Sequence, residues 1–525
     1  MRAVLAIPRD RIPPLVALSV VFLATVAVSA FLIRLLAGAS VGFDSAASVI
    51  HFERIIGGRQ LEAFVTTTPK PALTLVFGVL HAVGGWFAVA AATVLVFAAG
   101  VTLAAWLAWR VGGPVAAGFA AVAIVGSPLM LLDVGKAYAV AWALLPWLIA
   151  AWAVLAPNPR YWLAAFALLV AALIRIETLV VVPGALLAIV LARIAHRADP
   201  SVVPRAALAI VFVPMLAIPV MAAHDWLLTG DPLFWVQVST RFAEAASVRG
   251  FPGLQEVSER LVERFGADLA FLLLAGLAGF RLWRDRQLPL LVGLLVFGFG
   301  ILAFLFLLAV RGLFVSPRYL APIDLVLALS AGIGLGALRL DGVRRAGDSL
   351  PLGALGLPVQ LVVGGLVAVA LSHPFVPFDA NIRDQLAEEA RSQRAVASAV
   401  PVVRDALGRL PGARDPVPGV SWWTSTPPHV IAVFAPGLSR PRLAVDLDLP
   451  LSRIAGIETG VPDPPVEGIP RPGQIYVHDR RADRPEARYS FLEVSSPTPL
   501  GDVVLVPLLA DDTRGLWVIE IRAAS

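Results

Sequence analysis

Apolar residues fill the first two thirds of the chain in long blocks separated by short polar segments. The last third is different, with short apolar runs between prolines, glycines and charged residues. Blocks of the first kind are too long and too poor in charge for the half-buried helices of a soluble protein, and they read as membrane spans. The first runs from Pro14 to Leu36. At ~1.5 Å per residue it slightly exceeds a hydrocarbon core of ~30 Å. It is also longer than the apolar region of a secretory signal peptide, so it is expected to be the first span.

Arginine clusters divide the remainder. They lie at Arg2, Arg9 and Arg11; at Arg110; at Arg160; at Arg193, Arg197 and Arg205; at Arg281, Arg284 and Arg286; and at Arg339, Arg344 and Arg345. Arginine-rich loops are retained on the cytoplasmic side. An even number of crossings must then separate neighbouring clusters. A span is expected at 86–109, followed by two within 113–156 that turn at Gly126-Ser127-Pro128 through Lys136. Two more within 161–192 turn near Arg175-Ile176-Glu177. The next are 206–228 and 266–282, around a polar loop at 229–265. Then come 287–310 and 317–338, joined by Arg311 to Pro317, and a last span at 353–372. The total is about 11 spans, with the N-terminus cytoplasmic and the C-terminal region outside.

Residues 38–85 lie on the outer side in this scheme. Asp44 to Ile56 places Ala46, Val49, Ile50 and Ile56 at near-helical spacing. Pro71 to Val83 is apolar but too short to cross. Both are expected to be helices lying in the membrane interface. Beyond about 373, Asn381 to Leu410 reads as surface helix. Strands are expected at Val430–Phe434, Arg442–Leu447, Gln474–His478, Val503–Leu508 and Leu516–Ile521. The expected fold is an all-α polytopic membrane bundle over 1–372, followed by a soluble α/β or α+β domain over 373–525.

Composition strengthens this reading. The 525 residues are 58% hydrophobic and 15% charged, and the mean hydropathy is +0.81. A soluble globule has no interior large enough to hide that much apolar surface. With no cysteine, disulfides and thiolate metal sites are excluded. The net charge of +5 comes from arginines placed between apolar blocks, which is a topology signal; no nucleic-acid partner is expected.

Charge beside hydrocarbon is costly and marks function. The outer loops hold Asp44, Glu53 and Lys70; Asp133 and Lys136; Arg175 and Glu177; His224, Asp225 and Asp231; and Arg311, Arg318 and Tyr319. If the loops converge, carboxylates and cations share one cavity. That mixture suits a substrate with a phosphate to bind and a hydroxyl to deprotonate. Each residue also has a structural alternative. Asp44 is a natural helix cap, Lys70 an interfacial anchor, Arg318 a span boundary, Arg175 with Glu177 a brace for a turn, and Asp231 a turn residue. In the soluble region Trp422, Trp423, Tyr476 and His478 offer either a sugar-binding face or core packing.

The first outer loop reads Phe43-Asp44-Ser45, then Gly57-Gly58-Arg59-Gln60-Leu61, then Thr68-Pro69-Lys70-Pro71-Ala72-Leu73. Later come Leu173-Ile174-Arg175-Ile176-Glu177, Thr229-Gly230-Asp231-Pro232-Leu233 after Trp226, and Pro317-Arg318-Tyr319-Leu320-Ala321-Pro322. In order and loop placement these resemble the GT-C glycosyltransferases, of the protein mannosyltransferase and aminoarabinose-transferase type, over about residues 14–340. The chain departs from that pattern in having Asp44-Ser45 where many members have two acidic residues, and Lys70-Pro71-Ala72 where many have Lys-Pro-Pro. Asp44 is then the one carboxylate available at that place.

The resemblance implies an enzyme of the plasma (inner) membrane. It would transfer a sugar from a polyprenyl-phosphate donor to an extracytoplasmic acceptor: an envelope glycan, a lipid or a protein. Asp44 would be the catalytic base. Lys70, Arg318, Arg175 and Tyr319 would hold the donor phosphate, with Glu177, Asp133, Lys136 and Asp231 as further candidates. Lysine and arginine can neutralise a lipid monophosphate by themselves, so no divalent metal or other cofactor is expected. The competing reading is a transporter or flippase of a lipid-linked or anionic substrate. Such proteins place ionisable residues within spans and carry inverted repeats, whereas here the charges sit at span ends and no repeat is visible. A catalytically inactive scaffold of envelope assembly is a third, weaker option.

Overall fold

In the computed structural model the apolar blocks are helices and the C-terminal third carries a sheet. The structure describes residues 15–36, 40–61, 70–156, 158–195, 205–238, 240, 258–259, 262, 269–285, 287–310, 317–345, 357–371, 380–415, 417, 430–436, 439–456, 470–480 and 491–524.

The membrane part contains α1 (Leu15–Leu36), α2 (Phe43–Ile56), α3 (Pro71–Gly112), α4 (Pro114–Val125), α5 (Pro128–Gly135), α6 (Ala139–Leu155) and α7 (Tyr161–Ile174). It continues with α8 (Val181–Ala195), α9 (Ala209–Met215), α10 (Ala217–Thr229), α11 (Leu269–Arg284), α12 (Leu288–Val310), α13 (Ala321–Arg345) and α14 (Leu357–Leu371). Proline at the first position starts α3, α4 and α5, where its missing N–H costs nothing. Helix α3 is two limbs. Gly84 and Gly85 leave helical geometry, Gly85 at φ +61°, a region closed to most side chains. The break separates a short limb, Pro71–Val83, from a long limb beginning at Trp86, at the boundary expected between the short apolar helix and the span.

Five of the described helices are long and apolar enough to cross a membrane, or six if the bent pair α4 and α5, at 59°, is one span. The chain is a multi-pass membrane protein. The count of about 11 expected from the sequence also needs shorter apolar helices, among them Ala139–Leu155, Tyr161–Ile174 and Pro358–Leu371. Close contact between helices uses small residues, as lipid-embedded interfaces do. A Cβ on Gly336 of α13 would meet the Gly112 carbonyl at 2.3 Å, and one on Gly118 of α4 would meet that of Leu361 in α14 at 2.0 Å.

The soluble part begins with α15 (Ala380–Gly408), close to the expected surface helix. Six strands follow: β1 (Val433–Ala435), β2 (Ile454–Gly456), β3 (Ile475–Asp479), β4 (Thr498–Leu500), β5 (Val503–Asp511) and β6 (Leu516–Ala523). They form one sheet in the order β2-β1-β3-β6-β5-β4. The β2-β1-β3 half is parallel and the β3-β6-β5-β4 half antiparallel. The expected strand at Arg442–Leu447 is instead a helix, α16 (Arg440–Leu447), which makes the crossover from β1 to β2. Its apolar residues alternate locally, yet Leu443, Ala444 and Leu447 bury one helical face, and Pro441 suits a helix start. The three-residue strands β2 and β4 are too short to show a period. Trp422 and Trp423 lie outside the described residues. Tyr476 and His478 are buried in β3, Tyr476 stacked on Phe434 at 4.5 Å, so both are packing residues.

Two cores meet at α2. The bundle core takes Val49 with Phe77, Phe119 and Trp142. The soluble domain's core takes Ala47 and Ile50 with Val396, Val403 and Leu443.

Candidate active site

The start of α2 and the start of α3 face each other. Asp44 lies in the first turn of α2, and Lys70 is the residue before Pro71. Lys70 Nζ stands 3.4 Å from Asp44 Oδ2, and both side chains are mostly buried.

The second loop supports the first. Gly42 N donates to Lys136 O at 2.8 Å, Ser40 N to Gly135 O at 3.0 Å, and Ser45 Oγ to Ala137 O at 2.8 Å. Gly42 lies flat on Tyr138, where a Cβ would come within 2.2 Å of the ring. Ala137 is held at φ +56°, a strained conformation for a residue with a side chain. Lys136 lies over the Tyr138 ring at 5.8 Å, and Asp133 is fully buried one turn earlier on α5.

Arg175 breaks the chain between α7 and a short 3-10 turn, Ile176–Val180. Its Nη2 is 2.8 Å from Glu177 Oε1, and its guanidinium lies over the Tyr319 ring at 5.3 Å. Tyr319 belongs to the 3-10 turn Pro317–Leu320, which packs on α5. Ser127 caps α5 and donates to Asp324 of α13 at 2.5 Å, fixing that turn's surroundings. Arg318 is on this turn; its side chain, like Arg311, lies outside the described residues. The first, second, third and fifth loops thus touch in sequence around one end of the bundle. Asp231 is used differently. Its Oδ1 accepts Leu233 N at 2.9 Å and its Oδ2 accepts Gln237 Nε2 at 2.6 Å, so the carboxylate caps its own turn.

A buried polar seam runs below Asp44. Ser48 and His51 repeat along the same face of α2, and Thr74 follows Lys70 by one turn of α3. His51 meets His224 of α10 edge-on at 5.4 Å, and His224 Nε2 is 3.2 Å from Thr74 Oγ1. His224 Nδ1 is 3.4 Å from Asp225 Oδ1, and Asp225 Oδ2 accepts Trp235 N at 2.8 Å. Burial, then the facing His224 and the Lys70 charge, push the His51 imidazole well below its ordinary range, with Asp44 opposing. His51, Thr74 and the more distant Gln393 are not among the site candidates that the sequence offers. Helical spacing from Asp44 and Lys70 points to the first two; nothing local points to Gln393. Among the described residues no three His, Asp or Glu side chains gather closely enough to hold a metal ion.

An apolar cavity of about 200 Å³ opens between α3, α6, α7, α8, α9, α12 and α13, lined by Leu107, Leu168, Val181, Phe297 and Leu329. Trp147 forms one wall, packed on Phe297 at 5.1 Å. Its Nε1 donates to Thr178 Oγ1 at 3.0 Å, which ties this wall to the 3-10 turn after Arg175.

No protein-family model and no curated protein matches the sequence. Solved structures do. The crystal structure of ArnT from Cupriavidus metallidurans bound to undecaprenyl phosphate aligns with a TM-score of 0.54 at 14% identity, over 97% of this chain and 98% of that one. The chain has the GT-C fold. The archaeal oligosaccharyltransferase AglB from Archaeoglobus fulgidus, in complex with an inhibitory peptide and a dolichol-phosphate, aligns at a TM-score of 0.47 and 12% identity, over 82% of this chain and 64% of that one. The ArnT alignment, at 97% of this chain, takes in both the helical bundle and the C-terminal sheet.

Proposed function

We propose that the chain is a membrane glycosyltransferase that moves a sugar from a polyprenyl-phosphate donor to an extracytoplasmic acceptor. The observation that carries this is the meeting of Asp44 and Lys70 at 3.4 Å, from two helix starts, at the loop end of a GT-C bundle. A base and a cation so placed serve the two ends of one displacement. The Asp44 carboxylate takes the proton of the acceptor hydroxyl as its oxygen bonds to the anomeric carbon. The bond from that carbon to the phosphate oxygen breaks, and Lys70 offsets the charge gathering on the leaving polyprenyl phosphate. Arg175, with Tyr319 and the neighbouring Arg318 turn, supplies further positive charge to the phosphate.

The donor's chain needs a dry route to that phosphate. The cavity beside Trp147 is lined by apolar residues, its Trp147 wall hydrogen-bonds Thr178 three residues past Arg175, and the aligned ArnT structure holds undecaprenyl phosphate. The soluble domain packs on α2, so domain and site share one side of the bilayer. The arginine clusters favour the outer side, with the N-terminus cytoplasmic. The acceptor is a hydroxyl-bearing envelope glycan, lipid or protein.

Purified protein in nanodiscs, supplied with radiolabelled polyprenyl-phosphate sugars and envelope fractions, tests this reading. Asp44→Asn is expected to lose transfer by at least about a hundredfold, the scale of general-base catalysis, while folding normally. Turnover retained in that variant removes Asp44 from the chemistry.

A further inference from the structure

The soluble domain reaches the strap before Asp44 through Gln393. Gln393, on α15 and only 1% exposed, makes two bonds to a single residue of the first loop. Its Nε2 donates to Val41 O at 2.5 Å, and its Oε1 accepts Val41 N at 3.0 Å. The side-chain amide thus pairs with the Val41 backbone as a neighbouring strand would, across 352 residues of sequence. Val41 is three residues before Asp44, and the intervening Gly42 is fixed on Lys136 O and Tyr138.

The amide's orientation is itself fixed. Arg442 Nη1 donates to Gln393 Oε1 at 3.0 Å, and a guanidinium has no acceptor to offer, so the oxygen must face it. Arg442 and its helix neighbour Asp446 also hold the break in α3. Trp86, which follows Gly85, donates from Nε1 to Asp446 Oδ1 at 2.8 Å, and the Arg442 guanidinium lies over its ring at 5.8 Å. One short helix, α16, therefore fixes both the strap before Asp44 and the end of the helical limb that Lys70 begins.

We propose that the soluble domain positions the candidate base, and that Gln393 is the positioning residue through which it acts. The step from Val41 to Asp44 has little slack. Val41 is clamped by Gln393, Gly42 by the second loop, and α2 by Ala47 and Ile50 in the soluble domain's core. Releasing the clamp leaves a buried N–H and C=O without partners, so the strap must move or admit water. The carboxylate at the start of α2 moves with it. The activity part of this inference rests on the transferase reading; the coupling of Gln393 to the strap does not.

The test uses full-length protein in nanodiscs and two variants. Gln393→Met keeps the volume and removes both bonds. Gln393→Glu keeps an acceptor for Val41 N and Arg442 and loses the donor to Val41 O. Amide hydrogen exchange at Val41 is expected to speed by about tenfold in the Met variant, and by less in the Glu variant. The same order is expected in kcat, with a loss of about fivefold to tenfold in the Met variant and a KM for the donor within about twofold of wild type. Unchanged exchange at Val41 overturns the clamp. Faster exchange with wild-type kcat overturns the positioning role. Equal losses in both variants that track the yield of folded protein also overturn it, since they mark a purely structural contact. No transfer by the wild-type protein from any polyprenyl-phosphate sugar sinks the transferase reading alone, because exchange at Val41 still reports the coupling.

Discussion

The Lys70 ammonium lies 3.4 Å from the Asp44 carboxylate, a contact made across the first loop by two residues at helix starts. Under the transferase reading Lys70 serves both the donor phosphate and the fold. Both side chains are mostly buried, so removing the cation alone leaves the Asp44 carboxylate uncompensated, at a cost of up to about 3–5 kcal/mol. Lys70→Ala should therefore lower the melting temperature and, in the protein that remains folded, raise the donor KM by about tenfold or more. An unchanged KM for the polyprenyl-phosphate sugar would remove Lys70 from the phosphate site.

Gly42 is the tightest point of the strap. A methyl group there meets the Tyr138 ring at 2.2 Å, too close for any small adjustment. Gly42→Ala is expected to cost about 1–3 kcal/mol, as overpacking does, and to impair transfer. Adding Tyr138→Ala should recover at least half of the lost stability. A double variant as unstable as Gly42→Ala alone would place the strain somewhere else.

His51 makes the fold sensitive to acid. Its folded-state pKa lies below the ordinary 6.5, so between those two values the unfolded chain binds a proton that the folded chain does not. Its contribution is complete above about pH 6.5 and is lost as the pH falls toward the folded value. His51→Leu should lessen the drop in melting temperature between pH 7 and pH 5. The same drop in wild type and variant would show that His51 is not the group responsible.

Much of this arrangement is written in local sequence, and the exceptions share a cause. Proline at the first helical position, long uncharged blocks and the Gly84-Gly85 pair mark most membrane helices and the break in α3. Asp44, Lys70, Arg175 and Tyr319 announce themselves as polar residues at the ends of apolar blocks. The helix at Arg440–Leu447 is hidden because eight residues are too few to separate a period of 2 from one of 3.6. Asp231 was ambiguous because a turn carboxylate and a site carboxylate look alike until their partners are known. Gln393 was invisible for another reason. Its partners are backbone atoms 352 residues away, and such a contact leaves no pattern around it.

Tyr319 presents its ring to Arg175, so the ring and not the hydroxyl is expected to matter at that contact. Tyr319→Phe should transfer sugar at close to the wild-type rate. Tyr319→Ala should approach Arg175→Ala, with a donor KM raised about fivefold or more, in keeping with a cation–π contact of about 1 kcal/mol. Equal activity in the Phe and Ala variants would mean that the aromatic face contributes nothing.

Helix α2 gives Val49 to the core of the bundle and Ala47 and Ile50 to the core of the soluble domain. It is a plank nailed into two walls. A gene divided at the apparent border between membrane and water would leave each product with a raw hydrophobic flank. The C-terminal piece would lack a wall that the chain supplies more than 300 positions earlier. Ribosomal order then matters: the plank is inserted first and stays half-covered until the sheet is made, so the site can take its final shape only after those strands are synthesised.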